Sequence, residues 1–220
     1  MGFVLSYVTS LLQILQIWTL YSAYVLGLSY KSVKLFTTNV ATWTESQSIA
    51  SLSEANFPGY VPQAVTTLFG PSLDPVSGNA NLFTNGMYWQ VSGPGTPNTI
   101  YCAALCGPIV GGVAATLTVT EVGGAIATVT IVTPGSGYLA APFVTISGAP
   151  GVNAVIALTL TAGAVTGATI INPGSGYVAP TAVVEPPVEV LQGGVLPSPA
   201  PMQATSDGLN LTLDLINFDS

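Results

Sequence analysis

The sequence predicts a mainly β protein with an N-terminal amphipathic helix, an antiparallel, jelly-roll-like β-sandwich base, and an inserted module of two β-hairpins. Three observations support this prediction. A segment of thirty-nine residues is written twice, apolar and polar residues alternate along most of the chain, and the first thirty residues carry no charge. We therefore divide the chain into a helix (1–30), a base (31–108 with 186–220) and an inserted module (109–185).

The repeat is clearest in the motif PGSGY, which recurs at an offset of thirty-nine residues without a gap. Proline sets φ for the first corner of a turn, and the glycine after it supplies the positive φ that a type II turn requires. We expect each motif to end a strand and each tyrosine ring to cover its hairpin. The turn residues of the two copies are Pro134, Gly135, Gly137, Tyr138, Pro173, Gly174, Gly176 and Tyr177.

Each copy reads as a β-hairpin in front of its motif. In the first copy, threonines at 116, 118, 120, 128 and 130 alternate with aliphatic residues, which is the period of a strand with one buried face. The hairpin turn is predicted within Glu121–Gly124, and at Ala162 and Gly163 in the second copy.

Residues 1–30 are predicted to form the helix. Polar side chains recur every three or four positions, which places them along one side of a helix and leaves a broad apolar face for assembly. A membrane span is the main alternative, but two glutamines in mid-span would be costly in lipid. The residues assigned to the assembly face are Leu11, Leu12, Leu15, Trp18 and Tyr21.

The base is predicted from strands on both sides of the repeats. The predicted strands are 32–37, 61–69, 81–91 and 99–105, with breaks at Gly70-Pro71 and an extended proline-rich strap over 186–201. A last strand would place Leu209, Leu211, Leu213 and Leu215 on one face. Such a strand needs a sheet to join, and this is why the repeats read as an insertion into a sandwich.

Composition restricts the function. Lys31 and Lys34 are the only basic residues, histidine is absent and the net charge is −7. The chain has no basic surface with which to bind nucleic acid. Sites that depend on histidine, such as a Ser-His-Asp triad or most zinc and copper sites, are excluded. We expect no cofactor and no catalysis. A surface so poor in charge favours a homo-oligomer, a trimer or another symmetric ring, in which neighbours cover much of it.

Two segments of the sequence carry a resemblance to known proteins. The run 33–40 (VKLFTTNV) and the pattern EAxFxGY within 52–60 resemble small tailed-bacteriophage proteins. The PGSGY repeats, each followed by Ala-Pro at Ala141-Pro142 and Ala179-Pro180, are similar to modules of phage tail-fibre and other virion-surface proteins. The resemblance implies a virion component on the capsid or tail exterior, bound to other virion structural proteins, and it supplies no catalytic residues.

Other candidate sites have simpler interpretations. Cys102 and Cys106 form at most half a zinc site, so we interpret them as buried thiols, with a disulfide across a bend at 103–105 as the lesser option. Glu185 and Glu189 could be a glycosidase pair but are predicted to be solvated loop acids. Exposed loops at Tyr138 and Tyr177 would suit a receptor- or glycan-binding module, and a subunit of an extracellular filament is a third alternative.

Overall fold

The computed structural model describes residues 31–44, 46–73, 80–212 and 214–218, together with Gly27. The predicted helix over 1–30, with its assembly residues Leu11, Leu12, Leu15, Trp18 and Tyr21, otherwise lies outside the described residues. Within the described part of the chain, no helix combines the length and the hydropathy needed to cross a membrane.

The protein is mainly β, as predicted, and all of its strand pairs are antiparallel across the described residues. One short 3-10 helix spans Ile49–Ser51. The strands are β1 (Ser32–Phe36), β2 (Gln63–Ala64), β3 (Leu68–Leu73), β4 (Ala80–Thr84), β5 (Met87–Gln90), β6 (Asn98–Pro108), β7 (Thr116–Val122), β8 (Ala125–Thr133), β9 (Val144–Ser147), β10 (Val152–Thr161), β11 (Ala164–Ser175), β12 (Thr181–Val184), β13 (Val188–Met202), β14 (Gly208–Leu211) and β15 (Asp214–Phe218).

The largest sheet has the order β13-β6-β1-β2. Every residue of β1 is buried because the strand is covered on both faces. Val33 and Leu35 pack with Trp89 of β5 in one core cluster, while Phe36 packs with Cys102 in another. Side chains alternate along a strand, so Lys34 shares the face of Phe36 and is drawn into the interior.

Several predicted strands are divided in the structure. The segment 61–69 forms β2 and the start of β3, and 81–91 forms most of β4 and then β5. Gly70-Pro71 does not break the chain, because β3 continues through it with an irregular register between Phe69 and Ser72. A bulge lets proline stay in a strand, since the residue at the irregularity need not donate to the ladder.

The C-terminal predictions are corrected in two ways. The proline-rich strap is a strand, β13, which is hydrogen-bonded to β6 with a second irregularity between Val195 and Ala200. The final strand is divided into β14, which pairs with β5, and β15, which pairs with β4. Leu209 and Leu211 therefore lie on β14 and Leu215 lies on β15, in two different sheets, while Leu213 lies outside the described residues. One alternating sequence pattern covers both strands, and the pattern alone does not show that they join different sheets.

The repeats form three two-stranded sheets, β7-β8, β10-β11 and β9-β12. The predicted hairpin turns are confirmed. Gly123 (φ +62°) and Gly124 (φ +81°) connect the first hairpin, and Ala162 (φ +51°) and Gly163 (φ +76°) connect the second. Positive φ at both central residues is typical of a type I′ turn, whose twist matches that of the flanking strands. The chain leaves the base at the end of β6 and returns at the start of β13, which pairs with it through Val188 and Pro108.

Candidate functional site

The two PGSGY motifs adopt the backbone that the sequence predicts. Gly135 and Gly174 have φ of +65° and +64°, as the second corner of a type II turn requires. The first motif follows the end of β8, but β11 continues through Ser175, so the second motif does not end its strand as predicted. The difference is small, because Ser136 faces Val113 in an isolated bridge that is equivalent to the pairing of Ser175 with β10.

The tyrosines of the motifs are buried, at 5% exposure for Tyr138 and 3% for Tyr177. The hydroxyl of Tyr138 accepts a hydrogen bond from the backbone N–H of Ala115 at 2.8 Å. The hydroxyl of Tyr177 accepts one from Ala154 at 3.1 Å, the position thirty-nine residues later. Each ring therefore covers its hairpin, as expected. Its hydroxyl also pairs with a backbone N–H that would otherwise be buried without a hydrogen-bond partner.

The two repeats make reciprocal backbone hydrogen bonds to each other. The N–H of Tyr138 donates to the carbonyl of Gly163 at 3.0 Å, and the N–H of Tyr177 donates to the carbonyl of Gly124 at 2.9 Å. Each motif thus closes the hairpin turn of the other copy. Reciprocal contacts of this kind define an isologous pair, the arrangement found in two-fold dimers. Leu117 and Ile156 of the two copies share one core cluster.

This geometry corrects one premise of the glycan-binding hypothesis. Tyr138 and Tyr177 do not form exposed aromatic loops, because both rings are buried. The hydroxyl of Tyr138 is also engaged, since it donates to the backbone carbonyl of Glu185 at 3.1 Å. These tyrosines stabilise the module and do not supply the exposed aromatic loops that the hypothesis required.

A buried cluster of charges connects the module to the base. Lys34 of β1 is 1% exposed, and its Nζ donates to Glu54 Oε2 at 2.8 Å and to Glu185 Oε2. Glu185 follows β12 and is 6% exposed, so it is not the solvated loop acid that the sequence predicted. Glu189, on β13, is exposed, so the two acids lie in different environments.

The carboxylates of the cluster have further partners. Tyr60 donates its hydroxyl hydrogen to Glu54 Oε1 at 2.9 Å, and the hydroxyl oxygen accepts from the N–H of Leu35 at 3.2 Å. The N–H of Phe143, in the module, lies 3.4 Å from Glu185 Oε2. Buried charges are tolerated when such hydrogen bonds accompany the ion pair. We call Lys34, Glu54 and Glu185 the charge cluster.

Burial and mutual charge shift the pKa values of this cluster. Burial raises the pKa of Glu54, against the opposing effect of the Lys34 charge. Burial alone would lower the pKa of Lys34, but the charges of Glu54 and Glu185 outweigh it, and the pKa is raised. The pKa of Tyr60 is raised well above its usual range, chiefly by burial.

The cysteines are free, buried thiols, and the disulfide between Cys102 and Cys106 is not present. The bend expected at 103–105 does not exist, because β6 runs straight through these residues. Burial raises the pKa of Cys102 to about 11 and that of Cys106 further, so both thiols stay protonated at neutral pH.

Sequence reasoning missed the charge cluster. The available signal was a lysine within an apolar run, Val33-Lys34-Leu35-Phe36, in a chain with only one other basic residue. A lysine fully inside a sheet must have an anionic partner. Its partners lie 20 and 151 residues away along the chain, and no local pattern identifies them.

Two clefts lie between the module and the base. One, of about 320 Å³, is lined by Phe57 and Tyr60 of the base and by Phe143, Asn153 and Tyr177 of the module. The other, of about 280 Å³, lies beside Glu54 and the segment 140–143. The hydroxyl of Ser92 contacts Asn153 Oδ1 at 2.7 Å at the edge of the first cleft.

Among the residues that the structure describes, no group of three or more histidine, cysteine or acidic side chains is arranged to hold a metal ion. Comparisons with protein-family models, with curated proteins and with solved structures find no match to this chain.

Proposed function

We propose that the chain is a structural component of a bacteriophage virion, either an exterior decoration protein or a minor capsid or tail protein. It acts by assembly and packing and catalyses no reaction. Its partners are further copies of itself, in a trimer or another symmetric ring, and other virion structural proteins. The resemblance of 33–40 and 52–60 to phage proteins supports this assignment, as does the surface of the repeat module.

The observation that carries the proposal is the near absence of charge on the module. Residues 109–185 contain two ionisable acids, Glu121 and Glu185. Glu185 is buried, and Glu121 is engaged locally, since its Oε2 accepts from the N–H of Gly124 at 2.8 Å. The exposed residues of the module are then threonine, serine, glycine, alanine, proline and aliphatic residues. The exposed large aliphatic residues of the module are Val110, Val113, Val122, Val132, Leu139, Val152, Ile171, Val178 and Val183. Such a surface suits contact with neighbouring subunits rather than free solution.

The proposal includes a division of labour within the chain. We assign assembly to residues 1–30, a jelly-roll-like sandwich to 31–108 with 186–220, and a projecting module to 109–185. Support for the sandwich comes from one core cluster, in which Leu35 of β1 and Leu105 of β6 pack against Met87 of β5. These strands belong to two different sheets, as the two layers of a sandwich require.

Location on purified particles tests the proposal directly. Antibodies raised against the module should decorate intact virions from a density gradient, and mass spectrometry of those virions should find the chain in a constant ratio to the major capsid protein. Absence of the chain from particles, with the chain abundant in the remaining lysate, would refute the assignment. A soluble, stable monomer of the full chain at micromolar concentration would contradict the assembly mechanism.

A second candidate, recognition of a receptor or glycan, is favoured by the cleft of about 320 Å³. Its lining combines apolar rings with amide groups from Asn56 and Asn153, the mixture that small-ligand sites use for contact and orientation. Asn153→Ala should then abolish binding on a glycan array while leaving particle incorporation intact. A wild-type chain that binds no glycan and a variant that adsorbs to host cells normally would eliminate this candidate.

A further inference from the structure

We propose that Lys34 and Glu185 become joined by an amide bond between Nζ and Cδ, formed within the folded chain with loss of one water. The charge cluster brings together the three groups such a reaction needs: an amine, a carboxyl group to be attacked, and a second carboxyl group to carry protons. This self-modification is not turnover of a substrate, and it is independent of the virion assignment because it depends only on the interior of the fold.

The reacting groups are in contact and shielded from water. Nζ of Lys34 contacts Oε2 of Glu185, and the two residues are 1% and 6% exposed. An amine and a carboxylate free in water do not condense, since hydration stabilises both charges. Held together in one geometry they react with an effective concentration of about 10⁵–10⁸ M, and exclusion of water opposes the reverse hydrolysis.

Glu54 lies where a proton carrier is required. Its Oε2 is 2.8 Å from Lys34 Nζ, and the hydroxyl of Tyr60 holds the other oxygen at 2.9 Å. Burial raises the pKa of Glu54, which makes its carboxylate a better proton acceptor than an ordinary surface glutamate. At rest the pKa of Lys34 is raised, so the reactive amine forms only when a proton leaves the nitrogen within the cluster.

The step balances without any other reactant. One proton of the Lys34 ammonium passes to Oε2 of Glu185, which leaves a neutral amine and a neutral acid. The nitrogen lone pair then attacks Cδ, and a second proton moves through Glu54 to the same oxygen. The C–O bond breaks, that oxygen departs as water with both protons, and the third proton remains on the amide nitrogen. The N–H of Phe143, 3.4 Å from Oε2, helps to orient the carboxyl group.

A small cavity beside the reacting groups can hold the released water. A cavity of about 10 Å³ is lined by Lys34, Glu185 and Tyr138, and this is close to the smallest volume that holds one water molecule. The bond would connect the first strand of the base to the point where the chain returns from the module. It would close a covalent loop between positions 151 residues apart.

Intact mass of the purified full chain decides the matter. We expect a mass about 18 Da below that of the sequence, the loss of one water. Trypsin has only two sites, after Lys31 and Lys34, because the chain contains no arginine. Cleavage after residue 34 should be blocked in the cross-linked form, while cleavage after residue 31 in the unfolded chain continues. A full-length chain that is folded, incubated for days and still has the full sequence mass overturns the proposal.

Matched variants assign the loss to this site. Asp207-Gly208 is a sequence at which a chain can also dehydrate, so D207A should retain the mass loss while K34M should abolish it.

E54Q, which preserves the shape of the proton carrier, should slow the reaction at least tenfold with unchanged circular dichroism; an unchanged rate would refute the role of Glu54. If K34M fails to fold, the wild-type mass and a peptide containing the bond between residues 34 and 185 still decide the outcome.

Discussion

At the scale of single residues, Gly135 shows why the repeated motif is so restricted. A Cβ at this position would lie 2.5 Å from the carbonyl oxygen of Val113 and 2.6 Å from the nitrogen of Ala115. The residue has a φ of +65°, so it combines a left-handed backbone with close contact to other backbone. Gly123 has a similar φ of +62° but nothing within 4 Å of its Cβ position. A side chain at Gly123 would therefore meet backbone strain alone, whereas a side chain at Gly135 would also clash with neighbouring backbone atoms.

We predict that G135A destabilises the protein much more than G123A. Both substitutions carry the left-handed cost of about 1–2 kcal/mol, whereas G135A adds overpacking of about 1–3 kcal/mol. Urea unfolding followed by tyrosine fluorescence measures the difference. Equal losses of stability in the two variants would show that the backbone around Val113 can move aside without cost.

Glu54 makes stability depend on pH in a defined direction. Its pKa is raised in the folded protein, chiefly by burial, above the value of 4.5 expected for the unfolded chain. The folded state then binds more protons than the unfolded state between these two pKa values. The contribution of Glu54 to stability is full below pH 4.5 and is lost as the pH rises through the folded pKa.

We therefore predict that the free energy of unfolding of the wild type, relative to E54Q, falls as the pH rises from about 4.5. Glutamine keeps the shape of the side chain but does not titrate, which makes it the matched control. Urea midpoints measured at intervals between pH 4 and pH 8 supply the comparison. Parallel profiles for the two proteins would contradict the raised pKa.

At the scale of elements, the two hairpins differ at one turn position. Gly123 of the first turn corresponds to Ala162 of the second, and Ala162 has a φ of +51°. An alanine in the left-handed region is strained by about 1–2 kcal/mol, while glycine at the same place costs about 0.4–1 kcal/mol through the freer unfolded chain. The second hairpin is thus the less favourable of the two.

We predict that A162G stabilises the protein by about 0.5–1 kcal/mol, because the relief of strain exceeds the added entropy of the unfolded chain. The gain should appear as a higher urea midpoint with an unchanged slope. Ala127→Gly, at an exposed position within β8, is the control and should destabilise. A loss of stability in A162G would mean that the turn relies on the alanine methyl group.

At the scale of the whole molecule, the module surface determines how the chain associates. Val122, Val132, Val178 and Val183 are each more than half exposed on the module. We predict that replacing these four valines by lysine shifts the full chain from assemblies towards monomer, because charge opposes burial of that surface between copies.

Sedimentation velocity measures this shift. Val61 and Val195, which are 44% and 39% exposed on the base, supply the control, and their replacement by lysine should leave the sedimentation profile unchanged. Loss of assembly only in the control variant would place the contact surface on the base. A wild-type chain that sediments as a monomer under the same conditions would contradict assembly through the module.

Much of the fold was predictable because its signals are local. The hairpin turns and the positive φ at Gly135 and Gly174 follow from residues that are neighbours in the sequence. Strand boundaries were less predictable. β14 and β15 share one alternating pattern yet join different sheets, and Gly70-Pro71 lies inside β3 because an irregular register accommodates it. Pairing partners, rather than the pattern itself, decide where such strands end.

The sequence by itself determined the repeated hairpins, their turns and the scarcity of charge, since each depends on neighbouring residues or on composition alone. Only the tertiary structure decided the reciprocal contacts of Tyr138 and Tyr177 and the meeting of Lys34 with Glu54 and Glu185. A buried charge requires a partner, but the partner is selected by the path of the chain through space. The charge cluster therefore became visible only when β1 and the end of the module were placed side by side.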